Sequence, residues 1–513
     1  MPTPVKIRSA PGIKRDGTKL DGDNYIEGLW CRFVRGLPRK MAGYRMVTDT
    51  LPELVYGMHM YPKDGVQYTH LGSATKLTQI LMDPLGNLTG FADRTPAAFP
   101  NSVNNVWQFD LMFDDIGSAI NLLLAHAGQN LDNIDNSVVT PVWYGDVAAS
   151  GALVALPSAF DCSGGIVVLA PHLITYGSGG RVAMSASGDP TGSSGLGNEA
   201  FVCGTKIVKG LPLRGNGDGA SGLFWALDCV IRATYAGGTG LFAFDTLAGQ
   251  SSVLSSRGIV DYDGVFYWWG IDRPLMFNGV VQEVPNPYNK DWFLNNVNMT
   301  QRQKVFAFKV PRWGEIWWCF PFGNATECTH AIIYNTLGRF WYDTALPTAV
   351  QAGMGRTDGF YAQTSAKPFM CDQYPNGSLT DYGLWQHETG VDSVRSSDVQ
   401  PIPSFFQTAE ISMLTVEQAA SKALHVAMVE PDFVQAGQMT MHVTGRQNAR
   451  APEIAGPVHA FPAVATRPEE QTIPIKETRR LMSFRFASNV VGGDYEMGET
   501  LAHIQPDEGR ART

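Results

Sequence analysis

The chain has 513 residues, with 54 glycines, 31 prolines and 17% charged residues beside 12 Trp, 17 Tyr and 26 Phe. That balance argues against a disordered or coiled-coil chain and describes strands and turns with extensive burial. The formal charge of −9 is uneven: residues 1–50 hold ten Lys/Arg against five Asp/Glu, whereas residues 101–200 hold nine acids and one base, Arg181.

In chain order, residues 1–50 read as an extended basic arm. Apolar residues are sparse before Leu29 and Trp30, glycines recur from Gly12 to Gly43, and Pro38 interrupts a basic cluster. The path expected is strand and turn across a surface. Arg32, Arg35, Arg39 and Lys40 are its candidate docking residues, toward an adaptor or a neighbouring copy. A loop whose basic residues are simply solvated is the plainer alternative.

From about residue 51 to 390 a period-2 pattern dominates. Hairpin turns are expected at Asp64-Gly65, Gly179-Gly180, Gly237-Gly238, Asp263-Gly264 and Asp358-Gly359. Between residues 251 and 345, aromatic segments alternate with tight turns. In EIWWCF, Ile316, Trp318 and Phe320 point one way and Trp317 and Cys319 the other, so both faces need cover. Propeller blades, each sandwiched between two neighbours, supply that cover better than an antiparallel sandwich with one wet face. PYNKDWFLNNVN (287–298) allows one helical turn.

Residues 386–402 turn polar and read as a linker. Beyond it, ALHVAMVEPDF, GQMTMHVTGRQ and RRLMSFRFASN alternate as half-buried strands. The fold class expected is therefore all-β. An N-terminal extended arm (1–50) precedes a β-propeller-like body (51–390), and a C-terminal β-sandwich-like module (391–513) follows.

Motifs for chemistry are weak. The nucleophile elbow GxSxG and the zinc motif HExxH are absent, and RGNGDGASG (214–222) lacks the GK[ST] of a phosphate loop. Asp132, Asn133, Asp135 and Asn136 could offer hard oxygens to calcium, but a solvated Asn/Asp turn explains them without an ion. Asp261, Asp263, Asp272 and Glu315 lie near tryptophans, as paired glycosidase carboxylates would. Turn and strand positions account for Asp261 and Asp263. Seven scattered cysteines form no CxxC pair, and several resemble small buried apolar residues. MPTPVKIRSAPGIKR lacks the apolar stretch of a secretory signal, and no apolar run nears the roughly 20 residues of a membrane span. The expectation is a soluble chain folded in a reducing cytoplasm, without cofactor.

Four stretches carry a family resemblance. GLWCRFVRGLPRKMAGYRMV (28–47) resembles an opening strand that reaches a basic turn. HLITYGSGGRVAMSA (172–186) and SSVLSSRGIVDYDGVFYWWGIDRPLMFNGVVQEVPN (251–286) resemble blades, and FRFASNVVGGDYEMGETLAHI (484–504) resembles closing strands. Together they are similar to the tail nozzle, or tail hub, proteins of short-tailed bacteriophages, relatives of head-completion proteins that stabilise packaged DNA. The resemblance implies a structural, non-enzymatic virion protein of the tail, assembled in the host bacterial cytoplasm. It implies a hexameric ring below the portal and its adaptor, bearing tail fibres or spikes and a plug or needle. Genomic DNA would pass through without specific binding. An acidic or mixed wall would let DNA slide, which makes Asp110, Asp114, Asp115, Asp132 and Asp135 candidates for the channel or an acidic surface. A glycan-binding or glycan-cleaving tail propeller is the competing reading.

Overall fold

The structure, a computed structural model, describes residues 2–97, 99, 105–114, 120–191, 199–213, 220–346, 355–373, 382–413, 422–463 and 471–507. Strands dominate, and the described residues contain a single short α-helix, Lys290–Asn296. Seven antiparallel sheets follow one another along the chain among the described residues, at 55–93, 105–155, 165–201, 207–249, 260–283, 306–345 and 356–387. The first six have four strands in sequential meander order. The seventh builds three strands in order and takes its fourth, Tyr44–Leu51, from the N-terminal arm.

Ring closure is visible in the packing. An apolar core lies between each successive pair of sheets, and the one between the sixth and seventh runs on into the arm and the C-terminal module. Trp107 and Leu123 meet Leu77 between the first and second, and Leu124 meets Leu173 between the second and third. The series runs on to Leu384 and Phe369 of the seventh sheet, packed on Met58 and Ile80 of the first. Each sheet is thus a blade covered on both faces, the arrangement of a β-propeller. EIWWCF shows the mechanism within one strand. Trp317 and Cys319 enter the core facing the seventh blade, and Ile316, Trp318 and Phe320 the core facing the fifth.

Local chemistry sets the turns. Asp64 and Gly65 have φ of 50° and 77°, and Asp263 and Gly264 have 52° and 80°; both pairs close two-residue hairpins. Asp358-Gly359 departs from expectation. Both residues lie inside the strand Arg356–Ala362, and the chain turns at 363–366. Gly359 is there for space: a Cβ would lie 2.9 Å from the Phe306 ring. Residues 386–402 also differ from the linker expected. Asp392–Arg395 and Asp398–Pro401 form a hairpin that extends the seventh sheet, with Ser393 in parallel register with Tyr44.

The arm is extended, and it is woven into the C-terminal module. Thr3–Lys6 pairs with Leu501–Asp507, and Glu27–Leu29 pairs with Ser404–Gln407. The hairpin Cys31–Val34 and Leu37–Lys40 abuts Asp494–Met497. Each main sheet of the module therefore contains arm strands. One apolar cluster joins Tyr25 and Phe33 of the arm, Phe406 and Phe486 of the module, and Tyr342 of the sixth blade. Asp16 of the arm accepts the Asp291 and Trp292 amides at 2.9 and 2.7 Å, capping the first turn of the helix.

Candidate functional site: the arm clasp and the axial cavity

The basic arm residues do not share one environment. The tight turn Arg35-Gly36, with φ of 54° and 81°, sets Arg35 at a hairpin tip, where its side chain is 78% exposed while pairing with Glu496. Arg39 shares Glu496 at 3.0 Å. Arg32, opposite Arg39 in the hairpin, and Lys40, opposite Cys31, are both buried. Lys40 donates to the Gly493 carbonyl at 2.6 Å, and burial lowers its pKa. Of the four candidate docking residues, Arg32 and Lys40 are therefore engaged inside the chain. Strand alternation separates Lys40 from Arg39, whereas Arg32 shares the face of Arg39 and is covered by Glu315 and Glu388.

Arg32 forms a buried clasp between arm and propeller. Its Nε lies 3.0 Å from Glu315 of the sixth blade, and its Nη2 lies 2.6 Å from Glu388 at the end of the seventh. Its guanidinium stacks 4.8 Å from the centre of the Trp313 ring. Glu315 also accepts from the Tyr342 hydroxyl at 2.6 Å and the Trp317 indole at 2.9 Å. Burial raises the Glu315 pKa, against the pull of Arg32. Glu388 pays the same burial penalty, yet Arg32 and the Trp313 indole hold it below its ordinary value. The set fixes the angle between arm and blades, and it leaves Glu315 no free edge for acid–base work on a sugar. Asp261 spends one oxygen capping its own turn, on the Gly264 amide at 3.0 Å.

The candidate acidic residues separate as well. Asp110 lies on the innermost strand of the second blade, where its carboxylate accepts the Leu111 amide at 2.8 Å and the Val168 amide of the third blade at 2.7 Å. Burial pushes its pKa up to about 6. It ties two blades together, and its side chain is half-buried. Asp114 is half-buried, Asp132 and Asp135 are exposed, and Asp115 lies outside the described residues. Around Asp132 the Asn130, Asn133 and Asn136 side chains each accept an amide two residues on, which defines a run of Asx turns.

The propeller axis holds a feature that sequence reasoning missed. A cavity of about 670 Å³ is lined by strands of all blades except the third. Lys209, Arg257, Lys309, Asp261, Asp358 and His59 supply its polar wall, with aromatic rings between them. Arg257 pairs with Asp358 at 2.7 Å and lies over the Tyr56 and Phe306 rings at 5.7 and 5.4 Å. Burial lowers the His59 pKa to about 4, so this ring is neutral near pH 7. The only sequence signal was a charged residue inside an apolar strand, as in IVKGLP around Lys209. The cysteines are all free, and burial pushes the Cys31 thiol up to about 12, which leaves it unreactive.

Sheet order and inter-blade cores define the chain as an all-β propeller protein with an interwoven terminal module. No family model matches the sequence, and no curated protein aligns with it. Among solved structures, it is similar to BBS1N in its crystal complex with ARL6DN, at TM-score 0.39 and 7% identity over 68% of this chain and 98% of that one. It is also similar to the computationally designed Ika8 protein, at TM-score 0.34 and 9% identity over 67% of this chain and 99% of that one.

Proposed function

We propose that the chain is the tail nozzle, or tail hub, of a short-tailed bacteriophage. In this reading six copies form a ring below the portal and adaptor, carry fibres or spikes, and enclose the distal path by which the genome is retained and ejected. The observation that carries the reading is the meeting of two stretches on which the resemblance rests. The opening segment 28–47 packs on the closing segment 484–504, through the Arg39–Glu496 pair and the shared partner strand Ser404–Gln407. A part loaded by pressurised DNA needs its ends locked, and this weave locks both.

The genome path in this reading runs along the axis of the ring, between subunits. The cavity of a single propeller, at about 670 Å³, is the size of a small-molecule pocket and too small for a duplex. Asp132 and Asp135 are exposed and remain candidates for that path. Docking is assigned to the hairpin tip at Arg35. Deleting residues 1–40 would remove strands from several sheets, so loss of assembly would be uninformative. Arg35→Glu leaves the core intact. The expected result is a folded chain that no longer joins the adaptor; unchanged attachment would refute the docking role.

A further inference from the structure

Two cationic groups in the axial cavity are left incompletely paired. Arg257 Nη2 is committed to Asp358 and to the Thr357 carbonyl, but the buried Nη1 has no hydrogen-bond partner. Its side chain is 7% exposed. A buried donor without an acceptor costs free energy that a ligand oxygen would recover. Lys209, which also lines the cavity, extends from the innermost strand of the fourth blade. Among the described residues it has no hydrogen-bond or ion-pair partner, although Asp110, Asp358 and Arg257 act on it electrostatically. Burial lowers its pKa, and a bound anion would reverse that shift.

Charge and shape narrow the ligand. Lys209, Arg257 and Lys309 meet Asp261 and Asp358 in the lining, with Asp110 close enough to act on Lys209 and with His59 neutral. Arg257 already neutralises Asp358, and Lys309 donates to the Asp261 carbonyl at 2.8 Å. Phe109, Phe308, Phe360 and Tyr361 supply flat apolar walls beside these charges. We infer that the axial cavity binds a small aromatic oxyanion, with its anionic head between Lys209 and Arg257 and its ring against the aromatic wall. This proposal stands apart from the assembly reading, and either can fail alone.

The test uses the full chain, with phenyl phosphate, inorganic phosphate and phenol as probes in calorimetry and thermal melts. Phenyl phosphate is expected to bind and raise the melting temperature, phosphate to bind more weakly, and phenol to do neither. Lys209→Gln should weaken phenyl phosphate about tenfold or more, because a charge-assisted contact is lost. A single cooperative melt without probe would show that the variant still folds, which separates binding from folding. Absence of heat and thermal shift with phenyl phosphate at millimolar concentration would overturn the proposal. So would undiminished binding by Lys209→Gln, or equal binding of phenol.

Discussion

The fifth and sixth blades meet through aromatic rings, whereas the arm meets the sixth and seventh blades through rings, Phe33 on Tyr342 among them, and through a buried ion cluster. In the first interface Trp341 lies 5.6 Å from Trp269 and 5.8 Å from Trp318, ring centre to ring centre. Each such pair adds about 0.5–1.5 kcal/mol beyond the area buried. Indole N–H groups of Trp318 and Trp341 still find carbonyls, on Gly258 and Pro285. In the second interface Arg32 is held by Glu315 and Glu388. Its attraction is offset by the cost of removing ions from water, so it contributes little net stability but admits one docking geometry. Packing holds this blade pair, and the arm adds a buried ion cluster to its own packing.

The sharpest way to break the contrast is Arg32→Ala, which strands Glu315 without its cation. A loss of about 3–5 kcal/mol is expected in urea unfolding. Replacing the whole set, Arg32→Met with Glu315→Leu and Glu388→Leu, should recover part of it. Trp341→Ala opens a cavity in the other interface and should also cost about 3–5 kcal/mol. The two penalties should part with pH. Glu388 titrates below its ordinary value of 4.5, so its contribution is present above that value and lost as pH falls through the folded one. In the Arg32→Ala protein, acid also protonates the stranded Glu315. The Arg32 penalty should therefore shrink in acid, while the Trp341 penalty stays constant.

Asp110 gives a smaller effect of opposite sign. Its folded pKa of about 6 lies above the ordinary 3.8, so folding is favoured at acidic pH and loses stability as pH rises through 6. The full swing is roughly 3 kcal/mol. Asp110→Asn should remove that slope in denaturation curves taken across the range; an unchanged slope would place the titration elsewhere. Smallest of all, Arg35→Glu should shift unfolding by no more than about 0.5 kcal/mol, because the site is at an exposed tip.

Much of the propeller was legible because its signals are local. Asp64-Gly65 and Asp263-Gly264 need positive φ, and EIWWCF cannot sit at a wet surface. Asp358-Gly359 misled because the same dipeptide also serves close packing, here against Phe306 and Phe308. The polar stretch 386–402 misled because its strands pair with Tyr44–Leu51, more than 300 residues away in sequence. The candidate site was less legible for the same reason. Arg32 looks like any other arm cation until Glu315 and Glu388 are brought to it from two blades. The charged residues of the axial cavity come from the fourth to the seventh blades, and no local pattern joins Lys209 to Arg257.

The most direct test of the assembly claim is particle imaging of the virion tail, or of the purified chain with its adaptor, together with native mass. The expected result is a closed ring of about six times the 55.9 kDa chain mass, with the Arg35 hairpin facing the adaptor. Single copies or trimers at fibre tips, or a ring whose lumen is uniformly basic, would contradict it.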